Sequence, residues 1–425
     1  MDKTVRVVIL GGGFGGLYTT LNLRRLLPRK ISAEVTILAE ENFFLFTPML
    51  PEVITGEVDS RHILVAIRSF LKDKRFKFHQ TAATEIDFEK KLVTAVCEKG
   101  HCLYIPYDYL VIAVGSKTNP PKSIDQNGER GVFTLKTVSD ALILHNQIID
   151  MFEHAEMLEK EDLRRKQMLT FVIVGGGFAG IEMAASLHDM IFFTLLRQYP
   201  GVGEDEIRVV IAHAEDRILP ELGEDLALYG SRFLSQRKIE IRLNTLAFLM
   251  SEGIVKIGED NVFTRTLIWT AGAASKTLVQ KLPVSKDKSG RVIIDEYARV
   301  LPQADVFALG DCAHQKNPIT KQTYPPTAQV AIKQARVVAK NIVANVTNAP
   351  LSPFVFSSAG MVVPLGHRAA VAIIRGVKMH GFLAWLLSRS LYLLRLPTWS
   401  NKIRVALDWI LDLFLPKDTT RITLR

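Results

Sequence analysis

Cysteine is scarce: Cys97, Cys102 and Cys312 are the only three in 425 residues. Three thiols exclude a disulfide framework and point to a reducing compartment. No C-x-x-C is present, the ten histidines fall without ligand spacing, and no metal cluster is expected. Long apolar runs are missing too: no stretch reaches the ~18 residues that a spanning helix needs. The longest, near 381–396 and 403–415, are broken by Arg389, Arg395, Arg404, Asp408 and Asp412. If the chain meets a membrane, segments of this kind lie on it rather than cross it. A signal peptide is not expected, because Met1-Asp2-Lys3-Thr4 runs straight into the strand-like Val5–Leu10. A basic stripe with interleaved aromatics is absent as well, which sets nucleic acid aside.

What is present is a folded composition, 48% hydrophobic and 23% charged, with room for two or three domains. The formal charge of +9 suits an anionic lipid surface or phosphate-bearing cofactors.

The strongest signal occurs twice. Val5–Leu10 leads into Gly11-Gly12-Gly13-Phe14-Gly15-Gly16, and Phe171–Val174 into Gly175-Gly176-Gly177-Phe178-Ala179-Gly180, an interval of 164 residues. Both are G-x-G-x-x-G between a β-branched strand and a helix, the context that makes the motif a dinucleotide loop. Gly11 and Gly175 allow the turn, Gly13 and Gly177 admit a pyrophosphate, and Gly16 and Gly180 let helix and strand pack. The helix N-terminus offers N–H groups and partial positive charge. An interval this long exceeds a solenoid repeat and implies two nucleotide-binding domains.

In each domain an acid is expected at the end of the next strand, to hold the adenosine ribose. Glu40 closes Val35–Ala39, 24 residues past Gly16. After the second loop, His213 stands in that place behind Ile207–Ala212, 33 residues past Gly180. Histidine does not accept two hydroxyl bonds as a carboxylate does, and it tolerates a 2′-phosphate; Glu215 is the alternative ribose partner. Between the loops, Leu92–Val96 and Cys102–Ile105 read as a hairpin around Glu98-Lys99-Gly100, and Tyr109–Val114 as a buried strand. Residues 138–168 read as a charged, solvated linking helix. Further on come a strand at Asp305–Leu309, a helix over Ala328–Val346 entered through Pro325-Pro326-Thr327, and two apolar helices split by Pro397.

Several motifs in one order carry a family resemblance: the first loop; Asn42-Phe43-Phe44-Leu45-Phe46-Thr47-Pro48; Asp108–Ser116, with Ala113 and Gly115; the second loop with Ile181-Glu182; Trp269-Thr270-Ala271-Gly272; Val306–Asp311; Pro325-Pro326-Thr327-Ala328-Gln329; and Gly381–Leu386. Over nearly its whole length the chain resembles the type II NADH:quinone oxidoreductases of the two-dinucleotide flavoprotein superfamily. The resemblance implies an α/β fold of two Rossmann-like domains, the NAD domain inserted in the FAD domain, plus a C-terminal helical membrane segment. The implied boundaries are 1–168 and 292–366 for FAD, 169–291 for NAD(P)H and 367–425 for the tail. It implies FAD and NADH as cofactors, with NADPH admissible, and ubiquinone or menaquinone as acceptor. Gly11, Gly13, Phe14, Gly16, Glu40, Thr47, Ala113, Gly115, Gly310, Asp311, Ala328 and Gln329 would hold FAD. Gly175, Gly177, Gly180, Glu182, His213, Ala271 and Gly272 would hold the nucleotide. Glu182 would meet the nicotinamide end, or simply favour its helix dipole. Gln329 and Lys333, four apart on one helix face, would meet the quinone. Lysine stands where the family commonly has glutamine, which leaves the acceptor open. A quinone-linked sulfide oxidase would use cysteines near the flavin; these three read as structural.

The tail reads as amphipathic, with Arg404, Asp408 and Asp412 on one stripe and Ile403, Leu407, Trp409, Ile410, Leu413 and Phe414 over much of the rest. Trp385, Arg389, Tyr392 and Arg395 are candidate interfacial anchors, and Lys402, Lys417, Arg421 and Arg425 candidate headgroup partners. A core or dimer interface is the alternative. The resemblance favours a peripheral protein on the cytoplasmic face of the cell membrane, and a homodimer. Two other functions stay open: a reductase with a protein or soluble acceptor, and a flavin-bearing binding or sensing protein.

Overall fold

The computed structural model describes residues 4–96, 102–119, 131–251, 253–358, 360–415 and 417–421. The expected turn at Glu98-Lys99-Gly100, Cys97 and Arg425 lie outside the described residues.

In chain order the elements used below are β1 Val5–Leu10, α1 Phe14–Leu26, β2 Ala33–Ala39, α2 Leu50–Ile54, β3 Phe76–Gln80, β4 Tyr109–Ile112, β5 Val132–Phe133, α3 Val138–Glu156, β6 Thr170–Val174, α4 Phe178–Met190, β7 Arg208–Ala212, β8 Ile239–Arg242, β9 Thr266–Trp269, β10 Arg299–Val300, β11 Gln303–Ala308, α5 Ala328–Thr347, β12 Gly360–Gly366, β13 Ala369–Ile374, β14 Val377–Gly381, α6 Phe382–Arg395 and α7 Trp399–Leu411. They divide between two compact units.

The first unit comprises 1–44, 65–117 and 273–358. Its sheet runs β10-β11-β4-β1-β2-β3, parallel except for the β10–β11 pair. Strands covered on both faces read as continuous β-branched runs, and β1, Val-Arg-Val-Val-Ile-Leu, is buried from Val7 to Leu10. The order reverses beside β1, so the turn after β1 sits at the switch point where doubly wound sheets bind ligands. The helices α1 and α5 pack against each other.

The second unit comprises 45–64, 118–272 and 359–425. Its sheet is fully parallel, in the order β5-β9-β6-β7-β8. Every residue of β6, Thr-Phe-Val-Ile-Val, is buried. A three-stranded antiparallel sheet, β12-β13-β14, leads into α6. Beyond α4 the helix continues through a π turn at Ile191–Leu195. The helical stretch Phe178–Gln198 is long and apolar enough to cross a membrane by composition alone, but 61% of its apolar 18-residue window is buried inside the protein, as for a core helix.

The expectation of a solvated linking helix over 138–168 needs correction. Two helices occupy it, α3 and Leu163–Met168. Ala141, Leu144, Ile148, Phe152 and Ala155 of α3 are buried, an i, i+3/i+4 apolar face. A capping box starts α3: the Thr137 hydroxyl accepts from the Asp140 N–H at 3.0 Å, and Asp140 accepts from the Thr137 N–H at 3.1 Å. The acids that suggested a solvated helix crowd its C-terminal end.

Candidate active site

In the first unit the chain turns at Gly11 with φ +109°, and a Cβ there would stand 2.3 Å from the Ala113 carbonyl oxygen. A Cβ on Gly16 would stand 1.8 Å from the Gly11 oxygen, so only glycine lets α1 sit on the loop. Gly13, the N-cap of α1, faces open space. This is the cradle a pyrophosphate needs: close backbone beneath, a helix N-terminus beside it and no side chain in the way.

Around that cradle the first unit gathers Glu40, Ala113, Gly115 and the Gly310–Asp311 turn. Glu40 follows directly on β2, and Lys276 donates to both its oxygens at 3.1 Å. The Ala113 N–H donates to the Leu10 oxygen at 2.9 Å, and Gly115 turns with φ +72°. Ser116 Oγ donates to Asp311 Oδ2 at 2.9 Å. The first turn of α5 packs on Gly310, where a Cβ would lie 3.4 Å from Ala331 Cβ. Ala328 opens that turn, capped by Thr327. Residues and backbone here fit FAD.

One residue of this frame escaped the sequence reading. Gln334 is buried on α5; its Oε1 accepts from the Gly310 N–H at 2.8 Å and its Nε2 donates to Gln315 Oε1 at 2.8 Å. It ties α5 to the turn that presents Asp311. The signal was its place on the apolar face with Val330, Ala331, Ala335 and Val338. Lys333, one residue earlier, is exposed: its Nζ donates to the Ser357 oxygen at 2.6 Å and lies 4.8 Å from the Phe356 ring centre. Gln329 and Lys333 share one face of α5, Gln329 half-buried.

The second unit repeats the cradle. Gly175 turns with φ +117°, a Cβ on Gly180 would meet the Gly175 oxygen at 1.9 Å, and Gly177 faces open space. The Thr270 hydroxyl donates to the Val174 oxygen at 2.9 Å, which draws Thr270-Ala271-Gly272 against the loop. A Cβ on Gly175 would lie 3.1 Å from the Ala271 N. His213 leans on Gly176. The residue types and the open cradle fit a second dinucleotide.

Glu182 is half-buried on α4 and accepts a hydrogen bond from the Tyr392 hydroxyl of α6 at 2.9 Å. Burial pushes its carboxyl up to about 8, against the opposing pull of the Tyr392 bond, and Glu52 adds to the rise. At neutral pH it is therefore a neutral acid, able to donate a proton in a hydrogen bond. Tyr392, fully in the interior, is raised well above the usual phenol range by the same desolvation and by Glu182.

Behind this pair lies a buried charged network. Arg389 of α6 stands 3.0 Å from Glu52 Oε1 and donates to Glu57 Oε1 at 3.1 Å. Its guanidinium carbon lies 4.5 Å from the Trp409 ring centre, and Trp409 Nε1 donates to Glu52 Oε2 at 3.0 Å. Lys417 stands 3.5 Å from Glu57. Burial raises Glu52 to about 7 despite Arg389. Glu57 is lowered: burial would raise it, but Arg389 and Lys417 outweigh that. This corrects three tail assignments, because Arg389 and Tyr392 are enclosed and no interfacial anchors, and Lys417 faces Glu57 rather than headgroups. Arg421 likewise pairs with Asp150 at 2.8 Å.

Thr47 opens the turn Thr47–Met49 in the second unit and is exposed. Cys312 is buried, its Sγ donating to the Leu309 oxygen at 3.3 Å, and burial raises the thiol to about 11. A thiol held so firmly protonated is inert. Cys102 is exposed on its hairpin strand.

Residues 5–335 match the family model for pyridine nucleotide-disulphide oxidoreductases. A probable NADH dehydrogenase of Dictyostelium discoideum is 30% identical over 97% of this chain and 90% of its own length. A demethylphylloquinone reductase of Synechocystis is 30% identical over 96% of each. In fold, the chain matches the structure of NDH2 from Plasmodium falciparum in complex with NADH with a TM-score of 0.88, over 98% of this chain and all of that one, at 21% identity. The chain therefore belongs to the pyridine nucleotide-disulphide oxidoreductases and, among them, to the type II NADH:quinone oxidoreductases.

Proposed function

We propose that this protein oxidises NADH through bound FAD and reduces a quinone at a membrane surface. The observation that carries the reading is the pair of open glycine cradles joined in one chain to a tail whose apolar side faces outward. FAD, when bound, supplies the acceptance of a hydride and its onward delivery as electrons. The protein's part is to bind, orient and tune. Gly11–Gly16, Glu40 and Asp311 hold the first dinucleotide, with the α5 N-terminus favouring negative charge beside it. Gly175–Gly180 and Ala271-Gly272 hold the second, and Glu182, neutral and hydrogen-bonded to Tyr392, orients the nicotinamide end. Gln329 and Lys333 are assigned to the quinone. Thr47 is assigned to the flavin ring.

Anaerobic mixing with NADH should bleach the flavin absorbance, and a short-chain quinone should restore it. Bleaching with no recovery on quinone would point to another acceptor. A flavin untouched by NADH would leave a binding or sensing protein.

Membrane attachment rests on α7. Asn401, Val405, Asp408 and Asp412, spaced at helical intervals, face inward. Asp408 bonds His62 Nδ1 at 2.6 Å and Asn401 donates to the Leu64 oxygen at 2.9 Å. Trp399, Ile403, Leu407, Ile410, Leu413 and Phe414 are exposed instead, at 52–81%. Val405 faces inward and Arg404 outward, but a contiguous row of six exposed apolar side chains exceeds what a helix on a soluble surface presents, and suits the boundary of a bilayer. Each such side chain contributes about 1.5–3 kcal/mol when buried. Replacing Trp399, Ile403 and Phe414 together by serine should lower partition onto anionic vesicles by at least ~100-fold. Turnover with a short-chain quinone should persist; unchanged vesicle binding would refute the assignment. The reading extends to a peripheral position on the cytoplasmic face of the cell membrane and to a homodimer.

A further inference from the structure

The strand-end position that reads the adenosine ribose holds a histidine, and the structure shows what that histidine does. The His213 N–H donates to the Arg242 oxygen at 2.8 Å, and its carbonyl accepts from the Thr245 N–H at 2.9 Å. With the backbone tied to the neighbouring strand, the ring lies over the glycine loop. A Cβ on Gly176 would stand 2.8 Å from ring carbons Cγ and Cδ2, so the imidazole rests directly on that glycine. The Gly176 N–H donates to His213 Nδ1 at 3.1 Å. Accepting there places the ring's proton on Nε2. Nε2 is enclosed and has no hydrogen-bond partner among the described residues.

A second donor stands nearby, held only by an exposed carboxylate. The segment after β7 curls back, and the Leu219 N–H donates to the Gly176 oxygen at 2.9 Å. It carries Arg217, whose Nε is enclosed without a hydrogen-bond partner, the Asp216 carboxylate standing 3.5 Å off. Glu215 and Asp216 are exposed. The strand end therefore carries the unpaired His213 donor, with the Arg217 guanidinium close after it, where a carboxylate would accept from ribose hydroxyls and repel a phosphate. An enclosed donor without a protein partner, such as His213 Nε2, costs stability unless water or a ligand completes its bonding.

We infer that His213 and Arg217 read a phosphate on the ribose 2′ position, so that the protein uses NADPH as well as NADH. The inference rests on the assignment of the second cradle to the nicotinamide nucleotide. Histidine presents a donor and no negative charge, and arginine gives phosphate a planar, permanently charged partner.

Two measurements test it. Calorimetry on the holoprotein would compare adenosine 2′,5′-bisphosphate with ADP, a readout independent of turnover. Anaerobic flavin reduction would compare kcat/KM for NADPH and NADH. The bisphosphate should bind at least ~10-fold more tightly than ADP, as charge-assisted bonds imply, and NADPH should act within ~10-fold of NADH. Arg217→Gln, on a partly exposed loop, should weaken the bisphosphate and NADPH by ~10-fold or more and leave NADH unchanged. His213→Glu should swing preference to NADH by ~100-fold or more. NADH bleaching the flavin while NADPH is ~1,000-fold weaker would overturn the inference and spare the proposed function. So would equal losses for both nucleotides in Arg217→Gln. Neither nucleotide bleaching the flavin would remove the assignment on which it rests.

Discussion

Arg389→Met destabilises the second unit by about 3–5 kcal/mol, the usual cost of removing one partner from a buried charge network. Arg389 is the cation nearest to both Glu52 and Glu57, and its guanidinium is sandwiched toward Trp409 and Trp385, at 4.5 and 5.6 Å from their ring centres. Methionine fills much of the volume but leaves two carboxylates facing each other with only Lys417 nearby. The thermal midpoint should fall by roughly 10 °C, followed by tryptophan fluorescence. Adding Glu52→Gln and Glu57→Gln should recover more than half of the loss, because the cost lies in stranded charge rather than in lost packing. A loss below ~1 kcal/mol, or no recovery in the triple variant, would mean that the network is solvated in solution.

The pH dependence follows from the directions of the shifts. Glu57, lowered in the folded protein, contributes stability that is present above its unfolded value and lost as pH falls through the folded one. Glu52, raised to about 7, behaves oppositely: its contribution is full below the unfolded value and lost as pH rises through 7. Without Arg389 both carboxyls shift upward, so the variant resembles Glu52 twice over. The gap between wild type and Arg389→Met should therefore be small near pH 5 and widest at pH 8.

How much of this was readable in the chain depends on how far apart the partners lie. Both glycine loops were legible because strand, glycines and helix are contiguous, and each structural reason operates within about ten residues. Glu40 stood out in the sequence because it closes the strand-like run Val35–Ala39, whereas Asp311 came from the resemblance, behind an apolar strand and Gly310. The Glu52–Glu57–Arg389–Trp409–Lys417 network has no local signature: Glu52 of α2 and Glu57 just beyond it lie more than 330 positions from Arg389 of α6, Trp409 of α7 and Lys417. Arg389 consequently looked like any basic residue on an apolar helix. The amphipathic period of α7 was plain, but period says nothing about which face meets the protein. Only the bonds of Asn401 and Asp408 decide that these polar residues turn inward, while Arg404 of the same stripe stays exposed. Acids at the end of α3 hid a buried face that its leucines, isoleucines and phenylalanine already spelled out. His213 was visible as an anomaly; that its Nδ1 is engaged, leaving Nε2 as the donor, needed coordinates.

The division of labour between the two loops is testable by a matched pair of substitutions, Gly16→Val and Gly180→Val. A Cβ would stand 1.8 Å from the Gly11 oxygen in the first case and 1.9 Å from the Gly175 oxygen in the second. No side chain fits, so each helix must back away from its loop and withdraw its N-terminal N–H groups from the pyrophosphate. Losing two charge-assisted bonds weakens binding by roughly 1,000-fold. Gly16→Val should purify without colour, because FAD is lost. Gly180→Val should stay yellow, be reduced normally by dithionite, and respond to NADH roughly 1,000-fold more slowly. Flavin content, the dithionite titration and the NADH bleaching rate read the three consequences separately. A colourless Gly180→Val beside a yellow, NADH-inert Gly16→Val would exchange the two assignments. Retention of both flavin and NADH reactivity in either variant would mean that its loop holds no pyrophosphate. The expected asymmetry follows from two near-identical turns in different surroundings, Glu40 and Asp311 beside one and His213 and Glu182 beside the other.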